Sequence, residues 1–182
     1  MTKVFIGGSR SVSRLNEDVR RRIDRIVEQG FPVLIGDANG ADKAVQKYLQ
    51  SRGYDLVEVF CSGGECRNNL GQWPVRAIAT RQTLRNFDYY AAKDEQMALE
   101  ASIGFMIWDG KSAGTLANVA RLLRQDKKVV VYATPDRRFL TLNAPADWEH
   151  LLSSCETALR EKVLRSVSGA PRRSDGLQSR LL

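Results

Sequence analysis

Apolar residues along the chain follow two alternating patterns. Short continuous runs, such as "VFI" at 4–6 and "VLI" at 33–35, separate longer stretches in which apolar positions recur every three or four residues. The short runs read as strands buried on both faces, and the longer stretches as amphipathic helices lying over them. The pattern predicts strands over 3–6, 32–35, 56–60, 103–108 and 128–133. It predicts helices over 17–29, 41–52, 89–101, 115–125 and 146–167. That order implies an α/β domain of three layers, with a mainly parallel five-stranded sheet and helices on both faces.

Local chemistry supports the helix ends. Asn16 is an N-cap followed by Glu17 and Asp18, while Val19, Ile23, Ile26 and Val27 share one helical face. Ala41, Ala44, Val45, Tyr48 and Leu49 form a second stripe, and Trp148, Leu151, Leu152, Cys155 and Leu159 a third, which makes Cys155 a core residue. Residues 1–167 are expected to form a single domain. From Ser168 onward, "SGAPRRSDGLQSRLL" has no apolar face and reads as a flexible basic tail over 168–182.

Composition narrows the picture. At 182 residues and 43% hydrophobic content, the chain is long enough for one well-buried core. No apolar run approaches the roughly 20 residues of a membrane helix, and "MTKVFIGG" enters a strand without the apolar stretch of a signal peptide, so no membrane contact and a cytoplasmic location are expected. Cys61, Cys66, Cys155 and His150 lack the paired spacing of a zinc site, and the cysteines are expected to be free thiols, with no metal and no cofactor. The net charge of +7 invites a nucleic-acid reading. More than half of that excess lies in residues 160–182, where six basic side chains face only Glu161 and Asp175, and this weakens the reading for the domain itself.

In a doubly wound sheet, ligands bind beyond the carboxyl ends of the strands. Three unusual loops fall there. "GGSRS" contributes Gly7, Gly8, Ser9 and Arg10: two residues without side-chain bulk, a hydroxyl and a guanidinium fork suited to phosphate. "GDANGAD" contributes Gly36, Asp37, Asn39, Gly40 and Asp42, and it opens a helix whose free amides favour an anion. "DGKSAGT" contributes Asp109, Gly110, Lys111, Ser112, Gly114 and Thr115 at a second helix start. The dinucleotide spacing G-x-G-x-x-G is absent. A carboxylate repels phosphate, so Asp37 and Asp109 suit ribose or base hydroxyls, or else they solvate a loop or cap the following helix.

The pieces "GGSR", "IGDANGADKAVQKYLQSRG", "AKDEQM" and "DGKSAGT", in this order over residues 3–133, resemble the SLOG superfamily and within it the YpsA-like branch. The resemblance implies a Rossmann-like fold, a homodimer, and a nucleotide or nucleotide-derived ligand, either a sensed signal or a substrate. The superfamily also contains phosphoribohydrolases that use an Arg in R-K-x-x-M and a Glu in P-G-G-x-G-T-x-x-E. Those positions fall here on Lys93 and Asn118. An amide cannot stabilise an oxocarbenium-like state or activate water, so the phosphate cradle is kept while its usual catalyst is missing. Asp94, Asp109 and Asp37 are the candidate replacement carboxylates, with Asp94 and Asp109 as the catalytic pair to test. Lys93 can still meet a phosphate as a point charge.

Three functions follow: ligand binding, cleavage or transfer at a nucleotide N-glycosidic bond, and the less favoured binding of single-stranded DNA. Between the third predicted strand and the helix at 89–101, Trp73, Phe87, Tyr89 and Tyr90 interleave with Arg67, Arg76, Arg81 and Arg85. Such a stretch either covers a site as a lid or ties a long connection to the domain.

Overall fold

The structure is a computed structural model that describes residues 1–79 and 87–168. Its strands are β1 (Val4–Gly8), β2 (Val33–Gly36), β3 (Val57–Ser62), β4 (Val75–Ile78), β5 (Ile103–Trp108), β6 (Lys128–Ala133) and β7 (Arg138–Leu142). Its helices are α1 (Glu17–Glu28), α2 (Ala41–Ser51), α3 (Phe87–Glu100), α4 (Ala113–Leu123), α5 (Pro145–Ser153) and α6 (Thr157–Ser168). The strands form one sheet in the order β4-β3-β2-β1-β5-β6-β7, parallel throughout except for the β6–β7 hairpin.

The expected α/β architecture is present, but the sheet has seven strands rather than five. β4 and β7 are its two edges. An edge strand does not need the continuous apolar run of a strand covered on both sides. In β4, Val75 and Ala77 are exposed while Arg76 and Ile78 are half-buried, so the segment reads as irregular. β7 alternates exposed Phe139 and Thr141 with half-buried Leu140 and buried Leu142. Its hairpin turn lacks the usual glycine, since Arg137 itself adopts a positive φ of 50°.

The single helix expected over 146–167 is two. Ser153 and Ser154 turn their hydroxyls back to the carbonyls of His150 and Leu151, which competes with helix continuation and ends α5. Cys155 drops into the core at the break, as its apolar spacing implied. At the other end of α5, the Asp147 carboxylate accepts from the amides of Asn143 and Ala144.

Two apolar layers sandwich the sheet. Val19, Ile23 and Ile26 of α1 and Val45 and Leu49 of α2 pack against one face, over Ile6, Ile35 and Ile107. Met97 of α3, Leu116 of α4, Trp148 of α5 and Val163 of α6 pack against the other, over Phe5, Phe60 and Met106. The chain therefore winds outward from β1 in one direction along α1 and α2, then outward from β5 in the other along α4. The topological switch lies between β1 and β5, the place where sheets of this kind bind ligands beyond the carboxyl ends of their strands. Among the described residues, no helix is long and apolar enough to cross a membrane. The tail beyond residue 168, and Arg81 and Arg85 of the candidate lid, lie outside the described residues.

Candidate functional site

Ser9 joins the three predicted loops at the switch point. Its backbone amide donates to Ile107 O (2.9 Å), and its carbonyl accepts from Ala41 N at the head of α2 (3.1 Å). Its hydroxyl accepts from Asp109 N (3.0 Å) and shares a hydrogen bond with the Thr115 hydroxyl (3.1 Å). Ser9 is fully buried and Thr115 nearly so, which makes this a fixed junction. The contact also requires close backbone approach. A side chain on Gly8 would meet Ile107 O and the Ala41 methyl, and one on Gly40, where φ is 85°, would strike the Arg10 backbone. Gly7 is packed against Phe5 and Met106, within the sheet layer.

Gly114 differs. A Cβ there would meet nothing nearer than Ser112 Oγ at 4.0 Å, so the protein's own packing leaves the position open. Ser112 caps α4 by accepting from Thr115 N. Among the described residues, no acceptor meets the amides of Ala113 and Gly114.

Asp109 shapes the approach to this helix. Its Oδ1 accepts from the amides of Lys111 (2.9 Å) and Ser112 (2.8 Å), and its Oδ2 accepts from Ser11 Oγ (2.5 Å). Burial opposes the charge, but these hydrogen bonds outweigh it and hold the carboxyl below its usual range. Gly110 turns beneath the loop at a positive φ of 82°. Beside Asp109 lies a hollow of about 390 Å³ between the β1–α1 loop and the ends of β5 and β6. Ser11, Ser13, Asn16 and Thr134 give it polar walls, Arg14 a cation, and Leu15 with Ile107 an apolar lining.

On the other side of Ser9 is a buried charge cluster. Lys93 of α3, 4% exposed, donates to Asp94 Oδ1 at 2.6 Å. Asp94 Oδ2 accepts from Asn118 Nδ2 (3.1 Å), and Asn118 Oδ1 accepts from Arg121 (2.7 Å). Asp42 of α2 reaches over Gly36 toward Lys93, and its Oδ2 accepts from Ala38 N at 3.2 Å. Burial raises the Asp42 carboxyl to about 6, with Lys93 pulling the other way. Burial alone would favour neutral Lys93, but Asp94 and Asp42 outweigh it and keep the ammonium charged.

Asp37 takes a different part from the one its position suggested. Burial works against its charge, and Arg67 overcomes this with a backbone and a side-chain donor to Oδ2 (3.0 Å each) and Nη2 to Oδ1 (2.7 Å). Asn39 likewise turns to Asn68 Nδ2 at 3.1 Å. Arg76 is held by Glu58 and Glu100, and buried Trp73 donates to Tyr54 O, so the start of the long connection is tied to the domain. Tyr90 lies beneath two guanidinium groups, Arg67 at 4.4 Å and Arg10 at 5.4 Å from the ring centroid.

The electrostatic outcome follows from these pairings. The carboxylates of Asp37, Asp94 and Asp109 already accept from named donors, whereas Arg10, Arg14 and Lys111, carried by the loops after β1 and β5, have no ion pair among the described residues. The rim is cationic above two helix N-termini. Ser9, Gly114, Thr115, Lys93 and Asp94 stand out in the sequence, whereas Ser11 and Arg14 do not, and Asn16 stands out only as the cap of α1 that it is. The signal for Ser11 and Arg14 was the hydroxyl-rich "SRSVSR" that continues the first glycine pair. No family model, curated protein or solved structure matches the chain.

Proposed function

We propose that this protein binds a nucleotide or nucleotide-derived ligand at the β1–β5 crevice, as the SLOG superfamily and its YpsA-like branch would. The observation that carries the reading is the open first turn of α4 at Gly114, directly beside the Ser9–Thr115 hydroxyl pair. A phosphoryl group there would accept from the amides of Ala113 and Gly114 at the positive end of the helix dipole. Arg10 and Lys111 supply counter-charge from the rim.

Glycine at a helical position with room for a methyl costs about 0.5–1 kcal/mol of stability relative to alanine. Gly114→Ala is therefore expected to leave the fold as stable or stabilise it by about that amount. It is also expected to weaken binding of AMP, ADP or ADP-ribose at least tenfold, because the methyl takes the ligand's place. Calorimetric titration together with a thermal melt checks both halves. If the wild-type protein ignores the whole panel, the reading fails; so does undiminished affinity in the variant.

Asp94 favours a second reading, cleavage of the ligand's N-glycosidic bond. Its carboxylate stands between Lys93 and Asn118, and its side chain keeps 21% exposure. In that role Asp94 takes a proton from a water whose oxygen bonds to C1′. The C1′–N bond breaks, and the departing base nitrogen gains a proton from solvent water, to which Asp94 returns the one it took. Wild-type protein is then expected to release free adenine from AMP, and Asp94→Asn to lose at least a hundredfold of that rate. Chromatography that finds intact AMP after prolonged incubation with the wild type would remove the reading.

A further inference from the structure

The hollow beside Asp109 belongs to none of the phosphate contacts above. Its walls are hydroxyl and amide groups, its lining includes Val12, Leu15, Val19 and Ile107, and it opens against an ionised carboxylate. A carboxylate offers about four acceptor positions on its two oxygens, and Asp109 uses three of them. Both intraloop amides sit on Oδ1, so the remaining capacity is on Oδ2, the oxygen that meets Ser11 in the wall of the hollow. Ser11 is exposed, and its hydroxyl, while donating to Asp109, keeps its own lone pairs to accept a further bond.

Together these atoms match a vicinal diol. One hydroxyl donates to Asp109 Oδ2, its neighbour donates to Ser11 Oγ, and the apolar lining covers the C–H face of the ring. We infer that the hollow is the ribose subsite of the crevice, that Asp109 and Ser11 read the 2′,3′-diol, and that the protein therefore takes ribonucleotides in preference to deoxyribonucleotides. The inference rests on the nucleotide reading above and adds a discrimination that this reading does not require. Losing one hydroxyl leaves an acceptor of the half-buried Asp109 carboxylate unmatched inside the filled hollow, and sites built to hydrogen-bond a hydroxyl discriminate against the analogue that lacks it.

The experiment is calorimetric titration of the full chain with AMP, 2′-deoxy-AMP and 3′-deoxy-AMP. AMP is expected to bind at least tenfold more tightly than either deoxy form. In Asp109→Asn the amide keeps an oxygen for the Lys111 and Ser112 amides but places a donor where Oδ2 stood, and the preference is expected to fall to within about twofold. Ser11→Ala touches neither amide contact and is expected to reduce the preference for the diol with the melting temperature unchanged. Equal affinity of the wild type for all three ligands, or a preference that survives intact in Asp109→Asn and Ser11→Ala, overturns the inference while leaving the nucleotide site standing. Binding of none of them overturns the nucleotide reading and this inference together.

Discussion

Replacing Lys93 by methionine is expected to destabilise the protein by about 3–5 kcal/mol at pH 8, the range seen when one member of a buried ion pair is removed. Methionine keeps the aliphatic stem, so the loss measures the ammonium. That ammonium donates to Asp94 and stands over Gly36 beside Asp42, with Asp37 and Arg67 completing the cluster. Without it, Asp42 and Asp94 face each other across a buried space with no cation between them. The loss is expected to shrink at pH 5, below the value of about 6 to which burial raises Asp42, because a protonated Asp42 no longer needs a cation beside it. Urea denaturation at the two pH values reads the difference directly. A loss of equal size at both would mean that Lys93 acts through packing, and the electrostatic account of the cluster would be wrong. The double variant Asp42→Asn/Lys93→Met is expected to lose less than the sum of the single changes, since the groups share one environment.

Much of the central architecture could be read from the sequence because burial on both faces forces continuous apolar runs. β1, β2, β3, β5 and β6 satisfy that condition, while β4 and β7 do not, since each is paired on one side only. The three loops were equally visible, because close backbone approach at Gly8 and Gly40 demands glycine whatever the ligand. Which of their polar side chains remain available was not visible. That depends on partners distant in sequence: Asp37 is occupied by Arg67, thirty positions away, and Ser9 by Thr115, 106 positions away. The same limit applies to Asn118. As a residue it reads as a lost carboxylate, but in space it holds Asp94 at that place. The hollow was invisible for another reason, since its walls come from the ends of β5 and β6 together with a loop whose own composition looks like simple solvation.

Asp42→Asn is expected to stabilise the protein, and by an amount that depends on pH. The carboxyl rises from its ordinary value of 3.8 to about 6, chiefly through burial, even with Lys93 opposing the rise. A carboxyl raised on folding binds more protons in the native state than in the unfolded chain between these values. Stability therefore falls as pH rises from about 4 to 6 and stays lower above that. At about 1.4 kcal/mol per pH unit, the penalty at neutral pH is about 3 kcal/mol. Asparagine has nearly the same shape, keeps an oxygen for Ala38 N, and carries no charge to bury. Wild type and variant should have similar stability near pH 4 and separate by about 2–3 kcal/mol at pH 7, as measured by urea midpoints across the range. A constant gap, or no gap, would show that Asp42 is not the buried carboxyl described here. A stabilising change one bond type away from the natural residue also has a consequence for function. A side chain that weakens the fold at neutral pH, at the head of a helix aimed into the crevice, is one that stability does not explain. If Asp42→Asn gains stability and loses AMP affinity, the carboxyl belongs to the site.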